Sequence, residues 1–380
     1  MRTRDLGITI GLGHPGPLNA ITDVAGVRVG HATIIEGDGP LVVGQGPVRT
    51  GVTVVVPRGL DDWNEPVFAG CHRLNGNGEL TGLEWIRESG KLTTPIAITN
   101  THSVGVVRDA LVAASIQHAD PHSASWSLPV VGETYDGLLN DINGFHVRPE
   151  HLRLALDTAT GGPVTEGNVG GGTGMVCHEF KGGIGTASRV VPADRGGHTV
   201  GVLVQANYGK RAWLRVDGVP VGAEIGVEEV PSPYGAARRA ASDPPGSGSI
   251  IIVVATDAPL LPYQLERLAQ RAGLGLARAG GTGGHTSGDL FIAFATGNRL
   301  PAEDEDHPEL LAYEVRTVGD IVIDALFDAT IEATEEAIMN ALVAAETMVG
   351  RDGMTAHALP HDRLLEVMAR YGRGPKPPDA

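Results

Sequence analysis

At 380 residues, with 42% hydrophobic and 19% charged side chains, the chain is long enough to bury a sizeable core and too apolar to be disordered. A formal net charge of −16 argues against nucleic acid and anionic membrane surfaces as partners, since both would repel it. Two cysteines, Cys71 and Cys177, with no C-x-x-C spacing, exclude a disulfide framework and read as small buried hydrophobes.

In chain order, the run Met1-Arg2-Thr3-Arg4-Asp5 leads into Gly and Pro without the apolar stretch of a signal peptide. Neither Val52–Val56 nor Ile250–Ala255 approaches the roughly 20 apolar residues of a membrane span, so a cytoplasmic location is expected. Short β-like runs at Ile8–Ile10, Val27–Val29 and Val52–Val56 are punctuated by Gly and Pro. A helix is predicted over Leu80–Ser89 and a strand over Pro95–Thr99. Val104–His118 has helical periodicity, with Val106, Val107, Ala110, Leu111 and Ala114 on one face. Glu166–Val191 is dense in glycine, and β-like segments follow at His198–Asn207 and Trp213–Val219. Pro231–Ser247, rich in Pro, Ala, Gly, Ser and Arg, reads as an exposed loop.

Beyond that loop the texture changes. Ser249–Ala255 is a continuous apolar run of strand length, the pattern of a strand buried on both faces. Pro262–Arg278 is an amphipathic helix with Leu265, Leu268, Ala269 and Ala272 on its apolar side. The loop Ala279–Gly288 leads to a second buried strand, Leu290–Thr296, and Asp320–Thr347 forms a long helix stopped around Gly350. A loose tail is expected over 372–380. Buried strands flanked by amphipathic helices predict a layered α/β fold, read as one domain over 1–380 interrupted by the loop before Ser249.

Gly248-Ser249 at the mouth of a buried strand is the segment with the most chemical content. A flexible glycine before a hydroxyl residue lets the Ser249 hydroxyl attack the Gly248 carbonyl, and an N→O acyl shift followed by hydrolysis frees the Ser249 α-amine. An α-amine titrates near 7.7–8.0, so it can act as general base for its own hydroxyl. The same pattern also describes a flexible loop entering a sheet, and on the residues alone that is the commoner reading. Other motifs fail on context. Gly11-Leu12-Gly13-His14-Pro15-Gly16 fits G-x-G-x-x-G, but Pro15 and Pro17 disrupt the helix that should begin there. Gly280–Gly284 lacks the Lys-Ser/Thr ending of a phosphate loop, and His72, His178 and His285 have no zinc-type spacing. No metal or cofactor is expected.

Seven blocks in order resemble the family of L-aminopeptidase/D-Ala-esterase-amidases, which includes the β-peptide aminopeptidases. They are Asp23–His31, Gly51–Pro57, Gly132–Gly137, Glu166–Gly174, Gln205–Gly209, Gly248–Ile250 and Ser287–Asp289. The resemblance implies a four-layer αββα sandwich like that of N-terminal-nucleophile hydrolases, with altered strand connectivity. It implies self-cleavage into chains 1–248 and 249–380 and a homotetramer of the cleaved pairs. It implies Ser249 as nucleophile, Asn207 as oxyanion donor, and Ser287 with Asp289 as the pair that orients the nucleophile. Some members have Glu where this chain has Asp289. Glu133 and Tyr135 correspond to residues lining the substrate pocket, the carboxylate holding the free ammonium of a small peptide, amide or ester. Ser247 also follows a glycine; cleavage is placed at Ser249 because that residue abuts the strand. Two alternatives are an acyltransferase of the ornithine-acetyltransferase kind, whose nucleophile is Thr, and an uncleaved binding protein of the same fold.

Overall fold

The strand that begins at Ser249 shows how the molecule is layered. In a computed structural model describing residues 1–59, 65–118, 126–235, 248–301 and 312–374, Ile250, Ile252 and Val254 enter one apolar core. Ile251, Val253 and Ala255 enter another. Side chains alternate along a strand, so a strand with a core on each side must be apolar throughout.

The strands, in chain order, are β1 (Arg28–Glu36), β2 (Val48–Val56), β3 (Val67–Gly76), β4 (Lys91–Leu92), β5 (Ile96–Asn100), β6 (Val130–Thr134), β7 (Val176–Cys177), β8 (Phe180–Lys181), β9 (Gly183–Val190), β10 (Thr199–Asn207), β11 (Ser249–Thr256) and β12 (Gly288–Ala295). Of the two large sheets, one has the order β1-β2-β5-β6 and the other β4-β3-β12-β11-β10-β9; β7 pairs with β8, and Met348–Val349 with Thr355–Ala356, in two small ones. The inner faces meet through Val55, Ile96 and Ile98 on one side and Leu203, Ile251, Val253 and Ile292 on the other. The Val104–Gln117 and Pro149–Asp157 helices cover the outside of the first sheet, burying Val107, Leu111 and Leu152 against Val52 and Val54. The Pro262–Arg278 and Asp320–Ala344 helices cover the second. The result is the expected four-layer αββα sandwich. β11 and β12 run parallel, joined through the Pro262–Arg278 helix, while β10 and β3 flank them antiparallel.

Two β-like readings are corrected. Ile8 and Ile10 are buried but lie in an unladdered extended segment. Trp213–Val219 is a turn closed by Val216 on Val219, its valines buried in the helix-side core rather than alternating across a sheet. The first predicted helix begins at Leu83, after Gly82 in a left-handed conformation, and the long helix ends at Ala344. β3, β6, β9 and the Pro149–Asp157 and His361–Arg370 helices are additional elements. β9 is diluted by glycine for a reason: a Cβ at Gly185 would lie 2.0 Å from the Ala337 carbonyl oxygen, so the long helix could not seat on the strand. Most of the expected loop before Ser249, and most of the tail, lie outside the described residues. Among the described residues no helix is long and apolar enough to cross a membrane.

Candidate active site

Ser249 is the first residue of β11, and its ladder partner is Asn207, the last residue of β10. Directly opposed residues of an antiparallel pair bring their Cβ atoms to roughly 5 Å, so the pairing alone sets the Ser249 hydroxyl beside the Asn207 amide. On the other side, the parallel register aligns Ile250 with Asp289. The Ser249 Oγ accepts a hydrogen bond from the Gly288 backbone N–H at 3.1 Å.

The Asn207 amide is held at both ends. Its Oδ1 accepts from the Val176 N–H at 2.8 Å, and its Nδ2 donates to the Tyr135 carbonyl at 3.0 Å. That orientation turns Nδ2, the donor end, toward Tyr135. Ser287 Oγ donates to Asp289 Oδ1 at 2.5 Å. Burial pushes the Asp289 pKa up to about 6, against the opposing pull of the Ser287 hydroxyl and the Ile250 backbone amide.

Gly248 packs so tightly that a Cβ there would lie 1.9 Å from the Asn207 carbonyl oxygen. Only glycine allows the chain to enter β11 in this register. The Gly248 residue is therefore pinned beside the Asn207 end of β10.

Ser249, Gly248, Glu133 and Tyr135 line one cleft of about 700 Å³, together with Thr101, Thr286 and the turn from Gly76 to Glu79. The Glu133 carboxylate is buried: Oε1 accepts from the Glu79 N–H at 3.0 Å and Oε2 from the Thr101 hydroxyl. Desolvation raises its pKa, opposed by those two hydrogen bonds. Tyr135 is 51% exposed, leaving its ring free to meet a ligand.

All the site residues predicted from sequence thus converge on the Ser249 end of the second sheet and the facing end of β6. The sequence reading missed Thr101, the amides of Gly288 and Val176, and the Tyr135 carbonyl. Three of these act through the backbone, which carries no residue-type signal. Among the described residues no group of three or more His, Cys, Asp or Glu side chains is placed to hold a metal ion.

A peptidase family S58 profile matches residues 19–356. The chain is similar to a β-peptidyl aminopeptidase of Sphingosinicella microcystinivorans, 52% identical over 375 residues, covering 98% of this chain and 93% of that protein. Among solved structures it resembles a β-aminopeptidase of a Burkholderia species, with TM-score 0.89 and 56% identity over 98% of this chain and 99% of the other. It also resembles the L-aminopeptidase D-Ala-esterase/amidase of Ochrobactrum anthropi, described as a prototype of the serine aminopeptidases and a new variant of the N-terminal-nucleophile hydrolase fold. There the TM-score is 0.87, with 46% identity over 98% of this chain and 99% of the other. These relatives are peptidases and lend no support to the acyltransferase or binding-protein alternatives. With a buried serine at a strand mouth, an asparagine amide across the ladder and a carboxylate in the shared cleft, the chain belongs to peptidase family S58, and it is a serine aminopeptidase.

Proposed function

We propose that the chain cleaves its own Gly248–Ser249 bond and then uses the freed Ser249 as both nucleophile and base, removing N-terminal residues from short peptides, amides or esters. The observation that carries this reading is the single cleft shared by Gly248, Ser249 and Glu133.

In maturation the Ser249 Oγ attacks the Gly248 carbonyl carbon and the amide nitrogen leaves as the Ser249 amine, giving an ester. Water hydrolyses that ester, leaving a carboxylate on Gly248 and regenerating the hydroxyl. In turnover the Ser249 α-amine takes the hydroxyl proton as Oγ attacks the substrate carbonyl. The developing oxyanion accepts from Asn207 Nδ2, which exchanges its Tyr135 carbonyl for a more negative acceptor. The proton passes to the departing amine, and water resolves the acyl-enzyme. Ser287 and Asp289 orient the nucleophile's strand end through the Ile250 amide. Glu133 holds the substrate ammonium and so restricts hydrolysis to the chain end.

The β-peptidyl aminopeptidase relatives support substrates with an N-terminal β-amino acid. Release of p-nitroaniline from β-homoamino-acid and matched α-amino-acid anilides tests this; comparable rates on a blocked N-acetyl analogue would remove the aminopeptidase reading. A homotetramer of cleaved pairs in the cytoplasm completes the proposal, and light scattering on the processed enzyme tests the assembly.

Asn207→Ala is expected to lower kcat by roughly 10²–10³-fold, the usual cost of one oxyanion donor. Steady-state kinetics on the processed enzyme checks it. Glu133→Gln is expected to raise KM by about 10- to 150-fold, corresponding to the ~1.5–3 kcal/mol of a charge-assisted hydrogen bond. The raised Glu133 pKa has a direct pH consequence. The ammonium contact needs the ionised carboxylate, so KM is expected to climb on acidification at a higher pH than an ordinary glutamate, near 4.3, would give. A KM–pH profile that stays flat to pH 4 would contradict it.

A further inference from the structure

The amide that receives the oxyanion does not stand alone. Asn207 Oδ1 accepts from the N–H of the Met175–Val176 peptide, and the carbonyl of that same peptide accepts from the Lys181 ammonium at 2.8 Å. Lys181 is completely buried, and its Nζ also donates to the carbonyls of Gly172 at 3.2 Å and Gly182 at 2.7 Å. Burial draws the Lys181 pKa down to about 7, and the three carbonyl acceptors oppose that pull by calling for three N–H donors, which only the charged form of lysine has.

The turn that delivers Lys181 is itself constrained. His178 and Glu179, at φ +49° and +62°, connect β7 to β8 in left-handed conformations that favour glycine. Arg211 holds the turn in place, donating to the His178 carbonyl at 3.0 Å and the Glu179 carbonyl at 2.7 Å while stacking on Phe180. The His178 N–H in turn donates to the Tyr208 carbonyl at 2.6 Å, tying the hairpin to the end of β10 beside Asn207. Backbone strain of this kind persists only where the surroundings fix it, and here the fixed element is the one that grips the oxyanion amide.

We propose that Lys181 is a positioning residue for the hydrolysis, and that its buried ammonium orients and polarises the Asn207 amide through the Met175–Val176 peptide. The chain of donors runs from Nζ–H to the Met175 carbonyl, from the Val176 N–H to Asn207 Oδ1, and from Asn207 Nδ2–H to the oxyanion. Each link polarises the next, so a cation at the far end strengthens the donor that meets the developing negative charge. The inference rests on the assignment of Asn207 as oxyanion donor.

A double-mutant cycle tests it on the full-length, self-processed enzyme, with rates normalised to active sites counted by the acylation burst of an activated ester. Lys181→Met is expected to lower kcat per active site by about tenfold, within the range that coupled neighbours show, with KM changed less than about twofold. In the Asn207→Ala background the same substitution is expected to have no further effect. Lys181→Gln keeps two donors and lacks the charge; it is the second variant where methionine disrupts folding, and its smaller loss is expected to vanish in the same background. An equal loss per site with and without Asn207, or no loss at all, would overturn the proposal. An Asn207→Ala enzyme with unchanged kcat would instead remove the oxyanion assignment, and the inference with it.

Discussion

Ser249→Ala is expected to leave a single species of the full 39.5 kDa, whereas the wild-type chain is expected to yield fragments 1–248 and 249–380. In the proposed mechanism one hydroxyl performs both reactions, so one substitution should abolish both. Residual turnover should fall by roughly 10⁶-fold in kcat, the scale seen when the nucleophile of a serine hydrolase is removed. The geometry favours the bond before Ser249, because Gly248 is the residue wedged against the Asn207 carbonyl and Ser249 is the one whose hydroxyl is held by Gly288. Intact mass also resolves the alternative position before Ser247, which lies outside the described residues, since the two cuts differ by two residues. A variant that still cleaves between Gly248 and Ser249 would sink the assignment of the nucleophile.

Arg189→Ala is expected to destabilise the protein by about 3–5 kcal/mol, the cost of breaking a buried ion pair from one side. Arg189 is 1% exposed and reaches Glu336 at 2.7 Å and Glu332 at 3.1 Å on the long helix. Glu336 also binds Arg4 at 2.8 Å and Asn19 at 2.6 Å, so removing the guanidinium leaves a buried carboxylate short of one of its two cations. Burial alone would raise the Glu336 pKa, yet Arg4, Arg189 and Asn19 together hold it below that of an ordinary glutamate. The sign of the pH effect follows. Its stabilisation is complete above the unfolded glutamate pKa, near 4.3, and is lost as pH falls through the depressed native value. Denaturant unfolding of the variant at pH 7 measures the loss. A change below about 1 kcal/mol would contradict the buried-pair account.

The apolar runs in the second half of the chain were the readable part of the fold. Ser249–Ala255 is buried on both faces and carries no polar interruption, and Pro262–Arg278 has the helical period of a one-sided surface, so each declares its surroundings locally. β6 and β9 were unreadable for the opposite reason. β6, Val130–Thr134, ends in Glu133 and Thr134 because it forms the cleft wall, and β9 gives up side chains at glycines where a helix backbone must approach. At the site, Ser249 and the Ser287–Asp289 pair lie at strand mouths that the sequence marks. The partners of Asn207, by contrast, are the backbones of Tyr135 and Val176, 72 and 31 residues away in the chain. Long-range contacts made through peptide groups leave no trace in residue type. The pairing of Asn207 with Ser249 is intermediate: both were legible, but their opposition follows only from the ladder register.

The order of the second sheet bears on what becomes of the protein after the proposed cut. β11 and β12 are its central strands, lodged between β3 and β10, which belong to the preceding part of the chain. A nick before Ser249 would leave both flanking ladders intact, so the folded molecule would be unchanged in shape while its refolding became a two-body problem. Unfolding of the matured enzyme would then depend on concentration, and dilution after denaturation would separate two pieces that each lack part of the cores they share. Maturation, in that sense, would exchange reversibility for a nucleophile: the uncut chain would refold as one molecule, and the working enzyme would have a lifetime set by how slowly it first comes apart.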